Sequence, residues 1–219
     1  FKIPSGEINN VKYVRHLGTF KKNILLSTGM SSKKEIIFAL KTLINFGVAK
    51  KKVTILQCNS EYPSPYRDIN LQAMVSFKKE FNCDYGFSDH SLGIEVPIAA
   101  AALGAKVIEK HFTLNKKYEG PDHHMSLLPK ELEQMISSIR NVEKALGKKT
   151  KIVTKSEKKN IKVARKSIVA RVEIKAGEKF TTKNLTVKRP GNGMPANEYF
   201  NLIGRKSKKI FKKDELITR

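Results

Sequence analysis

The stretch YGFSDHSLGIEVPIAAAALGAKVIEKH, residues 85–111, decides the fold of this chain. A run of small and apolar residues, 94–103, lies between two short β-rich runs that each end in polar side chains. A strand, a closely packed helix and a second strand in that order predict a βαβ unit with parallel strands. The same alternation extends outward over the first two-thirds of the chain.

Short β-rich runs alternate with helical stretches over residues 1–147. Apolar residues recur at helical spacing in these stretches, and the last of them carries Pro129 in its first turn. This alternation predicts a parallel α/β sheet. The predicted strands are 1–3, 24–27, 53–57, 85–88 and 107–111, and the predicted helices are 33–46, 70–81, 94–103 and 129–146.

The predicted strands leave two architectures open. A complete (β/α)8 barrel needs eight strands and typically about 250 residues, and a partial barrel has unpaired edges. The chain is therefore either an open doubly wound sheet or a barrel that lacks its first units. Because the sequence begins at Phe1 without an initiator Met, we expect the second architecture.

Composition excludes several classes of protein. The 219 residues are 40% hydrophobic, enough for a packed core, and no apolar run approaches the length of a membrane span. Cys58 and Cys83 are the only cysteines, which excludes a disulfide scaffold and indicates a reducing compartment. No secretory leader is visible, so we expect a cytoplasmic protein.

The formal net charge of +23 is concentrated toward the C-terminal end. Residues 148–219 carry 22 basic and 6 acidic side chains, against 21 basic and 14 acidic before them. A basic field attracts phosphate of any kind, but the lysine pairs lack interleaved aromatic residues and no helix-turn-helix, zinc-finger or RNP pattern occurs. We therefore expect a solvated Lys-rich surface and no nucleic-acid partner. A polyanion- or glycan-binding module stays the alternative function.

A polar, Lys-rich segment, residues 148–160, follows the last predicted helix and is interpreted as a linker. It separates the α/β domain, residues 1–147, from a small and mostly β domain, residues 161–219. In that second domain we predict β-like pieces at 167–172, 185–188 and 208–211, divided by turn signals.

Polar side chains follow each predicted strand at its carboxyl end, where parallel sheets and barrels build active sites. His90 and His111 end neighbouring strands, and neutral imidazoles are good ligands for a divalent transition ion, although core or capping histidines explain them equally well. Glu109 is then an oxygen ligand or an orienting partner, or simply an ion-pair partner of a lysine. A set of one ammonium and several hydroxyls suits a phosphate group, namely Lys2, Ser27, Ser60 and Ser88.

Six motifs, taken together, resemble the sialic acid synthase family, which comprises the neuraminate, legionaminate and pseudaminate synthases. They occur in the family's order, and residues 165–170 and 188–193 resemble the family's antifreeze-like (SAF) domain. The six motifs are KIPS at 2–5, LSTGM at 26–30, CNSEYPSPY at 58–66, GFSDHSLG at 86–93, IEKHFT at 108–113 and GPDH at 120–123.

The resemblance implies a fold and an extent. Residues 1–147 are expected to form about the last five βα units of a (β/α)8 TIM barrel, and residues 161–219 a SAF domain. The chain is then expected to start near the fourth barrel strand and to be a fragment that is inactive alone.

The resemblance also implies an activity. Phosphoenolpyruvate condenses with N-acetylmannosamine or a related N-acetylated aminosugar to give a nine-carbon sialic acid and phosphate, with legionaminate or pseudaminate synthesis as alternatives. The implied cofactor is a divalent metal, Mn²⁺ first, with Mg²⁺ or Co²⁺ as alternatives. The implied assembly is a homodimer whose SAF domains are swapped between subunits.

Site residues are carried over position by position. The resemblance assigns His90 and His111 to the metal, and Glu109 and Lys2 to catalysis. It assigns Lys2, Ser5, Ser27, Ser60 and Ser88 to phosphoenolpyruvate, and Asn59, Tyr62, Asp122 and Arg189 to the sugar.

Overall fold

The structure of the protein, a computed structural model, describes residues 1–218. The chain divides into two compact units, Phe1–Gly147 and Lys148–Arg219. The first unit is built on one sheet of five parallel strands, in which each strand pairs with the next along the chain. The strands are β1 Lys2–Ile3, β2 Ile24–Ser27, β3 Val53–Cys58, β4 Asp84–Asp89 and β5 Ile108–Lys110.

Helices follow the strands in alternation, so this unit is a partial (β/α)8 barrel, as predicted. Local signals begin several of them: Ser32 and Glu35 form a capping box before the second helix, and the side chain of Asn70 caps the third. A first helix, absent from the sequence prediction, is capped by Asn10. The helices are α1 Val11–Thr19, α2 Lys33–Asn45, α3 Leu71–Phe81, α4 Glu95–Ala102 and α5 Pro129–Leu146.

The core of the first unit lies between the sheet and its helices. Ile24 and Leu26 of β2 are fully buried there against Leu43 of α2, and Val53 and Ile55 of β3 join the same cluster. Because side chains alternate across a strand, the residues between these positions face the opposite side of the sheet, which is the interior of the half-barrel. That alternation decides which polar residues reach the interior.

The second unit is small. An antiparallel pair of strands holds a core that includes Ile168, Phe180 and Phe211. Its elements are α6 Lys155–Ala164, β6 Ser167–Ala170, β7 Leu185–Lys188 and α7 Tyr199–Leu202.

Two details of the second unit differ from the sequence prediction. The segment interpreted as a linker without regular structure enters α6 at Lys155, because Thr154 and Glu157 form a capping box that starts a helix without an apolar period. The β-like piece predicted at 208–211 is not a strand, and Phe211 forms an isolated bridge with Ile174 instead. Over residues 1–218, none of the helices combines the length and the apolar character needed to cross a lipid bilayer.

Candidate active site

A cleft of about 350 Å³ opens at the carboxyl ends of the five strands. The alternation of side chains along each strand explains which residues line it. Those that point away from the neighbouring helix-facing core positions are Lys2, Ser27, Ser88 and Glu109. Nine residues predicted for the site line this cleft: Lys2, Ser5, Ser27, Ser60, Tyr62, Ser88, His90, Glu109 and His111.

The two predicted imidazoles lie together. The ring centroids of His90 and His111 are 5.3 Å apart, and the ring of Tyr62 stacks on His90 at 4.1 Å and meets His111 edge-on. Nδ1 of His90 donates to the backbone carbonyl of Asn59 over 2.6 Å, which leaves Nε2 with a free lone pair. The two imidazole rings therefore lie next to each other in one cleft.

Both imidazoles favour the neutral form. Burial lowers the pKa of His90, and burial together with the nearby His90 lowers the pKa of His111. A neutral imidazole keeps the lone pair that a metal ion or a proton donor needs.

The donor set fits a divalent transition ion with an open coordination shell. Two neutral imidazoles in one polar cleft are suitable nitrogen ligands for Mn²⁺, Co²⁺ or a similar ion. Within residues 1–218, no group of three or more His, Cys, Asp or Glu side chains is arranged to hold a metal. Among residues 1–218, His90 and His111 are the side chains that would hold such an ion, which would supply Lewis-acid polarisation of a carbonyl oxygen.

Glu109 joins the first and last strands of the sheet. Its Oε1 accepts hydrogen bonds from Lys2 Nζ over 2.7 Å and from Ser88 Oγ over 2.6 Å. Burial acts to raise the pKa of Glu109, but the bonds from Lys2 and Ser88 outweigh it and the pKa is lowered. The cleft thus holds an ionised carboxylate beside an ammonium group.

Three further hydroxyl groups line the cleft, those of Ser5, Ser27 and Ser60, and we call this group its hydroxyl side. Ser5 Oγ accepts a hydrogen bond from the backbone N–H of Gly29, and a Cβ placed on Gly29 would lie 2.2 Å from Ser60 Oγ. Ser27 Oγ is buried without a hydrogen-bond partner among residues 1–218. An unpaired buried hydroxyl is costly, so a donor pointing into a polar cleft indicates a ligand that completes it.

The three remaining predicted residues do not line the cleft. Asn59 uses its side chain inside its own loop, where Oδ1 accepts from the backbone N–H of Glu61 over 2.8 Å. The carboxylate of Asp122 lies 3.9 Å from Nδ1 of His111, at the rim. Arg189 belongs to the second unit, where its Nε donates to the carbonyl of Ala164 over 2.9 Å.

Sequence reasoning gave no role to Cys58 and Met30, which line the cleft, or to the buried pair Asp89 and Lys110. Strand parity would have placed Cys58 in the interior, since it lies two residues beyond Leu56. Nothing in the local sequence marks Asp89 and Lys110 as partners, because their contact depends on the register of β4 and β5.

A second cavity, of about 390 Å³, lies in the second unit. Phe180, Leu202 and Phe211 form an apolar lining for it, and none of the predicted site residues borders it. Its rim is basic, with Arg205, Lys206, Lys208 and Lys209.

Comparison with known proteins decides the family. Residues 1–151 match the NeuB family, and residues 165–219 match the SAF domain. The chain belongs to the NeuB family.

Several NeuB relatives carry names and structures. The chain is 49% identical, over 99% of its length, to N,N'-diacetyllegionaminic acid synthase of Campylobacter jejuni, and covers 65% of that protein. It is 37% identical over 99% of its length to human N-acetylneuraminate-9-phosphate synthase and covers 60% of it. The chain thus spans about three-fifths to two-thirds of the length of these relatives.

A solved NeuB-type structure shares the fold. The N-acetylneuraminic acid synthetase of Leptospira borgpetersenii, solved in complex with citrate, is 33% identical with a TM-score of 0.66. The match covers 73% of this chain and 55% of that one. The partial barrel and the SAF domain expected from the sequence are both confirmed.

Proposed function

We propose that this NeuB-family protein is a sialic-acid-type synthase, which condenses phosphoenolpyruvate with an open-chain N-acetylated aminosugar and releases phosphate. One observation carries the proposal: an ammonium group, several hydroxyls, an ionised carboxylate and two neutral imidazoles converge in one cleft at the strand ends. The names of the relatives support the same class of reaction.

Phosphoenolpyruvate binds on the hydroxyl side of the cleft. Lys2 supplies positive charge, and Ser5, Ser27 and Ser60 supply hydroxyl donors, of which Ser5 and Ser60 lie beside Gly29. The unpaired Ser27 Oγ then gains a phosphate or carboxylate oxygen as its partner. Ser88, already bonded to Glu109, completes this set.

The sugar aldehyde binds on the imidazole side. His90 and His111 hold the divalent ion, for which Mn²⁺ is our first candidate and Mg²⁺ or Co²⁺ the alternatives. Such an ion supplies Lewis-acid polarisation of a carbonyl oxygen. Tyr62, stacked on His90, forms the wall against which the sugar packs.

The bonds change in two steps. The electron pair of the enol double bond forms the new C–C bond from C3 of phosphoenolpyruvate to the aldehyde carbon, and the aldehyde oxygen takes up a proton. Water then adds to C2 and gives up one proton, and the C–O bond to phosphate breaks while the new C2 hydroxyl passes its proton to the leaving phosphate, so that C2 becomes a ketone. Glu109 is ionised, and its Oε2 accepts no hydrogen bond from residues 1–218, so we assign it the proton from this water.

Asn59, Asp122 and Arg189 stay proposed sugar-side residues. Asp122 is at the rim beside His111, whereas Arg189 acts from a SAF domain in a homodimer with swapped domains. Asn59 keeps its proposed sugar-side role, and its backbone carbonyl in addition accepts from Nδ1 of His90 and orients that ring. We further propose that the protein works in the cytoplasm.

The acid that is made is proposed from the relatives. Identity is 49% to a diacetyllegionaminic acid synthase, against 37% to the human phosphate-sugar enzyme. An acceptor with two acetamido groups is therefore our first candidate, ahead of N-acetylmannosamine and its phosphate ester.

The test is phosphate release from phosphoenolpyruvate with each acceptor sugar, before and after treatment with a chelator, alongside direct titration of phosphoenolpyruvate into the chain. We expect the chain to bind phosphoenolpyruvate and the Ser27→Ala variant to bind it about tenfold more weakly. A tenfold change corresponds to the loss of roughly one hydrogen bond to a charged group. Because the chain spans about two-thirds or less of its relatives' length, the activity assay uses the full-length protein, in which we expect acceptor-dependent phosphate release that stops on chelation and returns with Mn²⁺. Phosphate release independent of both the acceptor and the metal would contradict the proposal.

A second candidate function is polyanion binding by the second unit. The observation that favours it is the basic rim of the 390 Å³ cavity, formed by Arg205, Lys206, Lys208 and Lys209. Tight retention on heparin with a steep dependence on salt supports this function, and weak retention with a shallow dependence dismisses it.

A further inference from the structure

The buried ion pair between Asp89 and Lys110 occupies the side of the sheet opposite the cleft. Lys110 Nζ lies 2.7 Å from Asp89 Oδ2, and the side chains are 2% and 0% exposed. Asp89 pairs with Lys110 in the register of β4 and β5, one position away from the cleft-facing pair Ser88 and Glu109. Strand alternation therefore places the ion pair directly behind the active face.

The pair is bonded into the backbone on both sides of His90. Asp89 Oδ1 accepts from the backbone N–H of Ser91 over 2.9 Å and from its hydroxyl over 2.7 Å. Lys110 Nζ also donates to the backbone carbonyl of Ser91. The residues before and after His90 are thus both tied to the residue that precedes His111.

The cost of this arrangement argues that the geometry matters. Two charges removed from water lose hydration that their mutual attraction repays only with good geometry and further hydrogen bonds. An apolar pair would fill the same space without that cost, as Phe87 and Ile108 do on the same face of the sheet two register positions earlier. What an ion pair adds is a fixed direction and length for the link between two strand ends.

We propose that Asp89 and Lys110 are positioning residues which fix the separation of the His90 and His111 rings. The link runs from Lys110, beside His111, to Asp89 and Ser91 on either side of His90, and the rings lie 5.3 Å apart in front of it. As far as it concerns the two rings as metal ligands, the inference rests on the proposed function. The claim that the ion pair fixes the distance between the rings does not depend on that function.

The deciding variant is the double substitution Asp89→Asn/Lys110→Met. Each single substitution leaves an unpaired buried charge and is expected to unfold easily, whereas the double variant removes both charges and keeps the volume. The matched control is Lys78→Met/Asp84→Asn, which removes an exposed ion pair at the opposite end of β4.

Two measurements are made on the full chain. The first is the nuclear Overhauser effect between the His90 and His111 rings, assigned with single His→Gln variants, and the second is the Co²⁺ affinity from its visible spectrum. We expect the double variant to remain folded, to lose the inter-ring effect and to bind Co²⁺ about 10- to 100-fold more weakly. The control variant is expected to keep both signals.

An unchanged inter-ring effect in the folded double variant overturns the proposal, and so does an equal loss in the control. If the native chain binds no Co²⁺, the proposed metal centre fails, and the inter-ring comparison still decides the positioning role. If the double variant does not fold, Ser91→Ala removes one bond and leaves both charges paired. A weakened inter-ring effect in that variant supports the proposal, and an unchanged one overturns it.

Discussion

Lys2 Nζ lies 2.7 Å from Glu109 Oε1, although the two residues are 107 positions apart and lie on the first and last strands of the sheet. Four strand spacings of about 4.8 Å would separate these strands by about 19 Å in a flat sheet. The contact therefore requires a strongly curved sheet. Curvature of this kind brings strand ends that are distant in sequence into one cleft.

Glu109→Gln tests the carboxylate in that contact. The amide keeps the shape of the side chain but is neither a charged partner for Lys2 nor a base for water, so we expect a rate loss of about 100- to 10,000-fold. The measurement is the rate of phosphate release by the full-length protein at saturating phosphoenolpyruvate, with thermal unfolding as its control. A fall in stability that accounts for the lost rate would mean that Glu109 is a structural residue.

His111→Ala tests the imidazole pair. We expect a rate loss of at least about 100-fold and the loss of Co²⁺ binding, because one of the two nitrogen ligands is gone. The free energy of unfolding should change by only about 1 kcal/mol, since the side chain is half-buried. His124→Ala, an exposed histidine nearby, is the matched control. Rate loss and unfolding of similar size in both variants would argue against a metal ligand.

Gly29→Ala tests the hydroxyl side of the cleft. The added Cβ would lie 2.2 Å from Ser60 Oγ and 2.7 Å from Ser5 Oγ, so it must displace at least one of these hydroxyls. We expect phosphoenolpyruvate to bind about tenfold more weakly, as calorimetric titration would measure. Gly6→Ala adds the same methyl group where nothing lies within 4 Å, and it should bind normally. Equal affinities in the two variants would remove the hydroxyls from the substrate site.

Arg189→Ala tests the sugar-side role of the second unit. We expect the KM for the acceptor sugar to rise about tenfold while the affinity for phosphoenolpyruvate stays within about twofold. Steady-state kinetics with each substrate varied in turn separates these effects, and Arg205→Ala serves as the control in the same unit. Equal weakening of both substrates would exclude a role specific to the sugar.

Glu131 gives the fold a dependence on pH. The backbone N–H of Leu128 and the ammonium of Lys116 lower the pKa of Glu131 below its unfolded value of 4.5. A lowered carboxyl pKa stabilises the fold above the unfolded value, and this stability is lost as the pH falls through the folded value. Glu131→Gln should therefore cost about 0.5 kcal/mol at pH 7 and almost nothing near pH 3. Thermal unfolding of both proteins between pH 3 and pH 7 measures this difference in stability, with Glu133→Gln, at an exposed position, as the control. A difference in stability that stays the same at every pH would contradict the linkage.

The sequence predicted the strands and most helices because their signals are local. Alternating apolar runs, Pro129 in the first turn of α5 and the cap at Ser32 act within a few residues. The helix α6 was missed because its apolar period is absent and its start depends on the box formed by Thr154 and Glu157. The short piece around Phe211 failed as a strand because its backbone pairs at a single bridge.

By itself, the sequence determined the alternation of strands and helices, the split into two units and the polar residues at each strand end, since all three follow from local composition and period. Tertiary structure alone decided that Lys2 reaches Glu109, that His90 meets His111, and that Asp89 pairs with Lys110 behind them. Those contacts depend on sheet curvature and strand register. Both arise from packing the whole sheet against its helices, so no single segment of the chain encodes them.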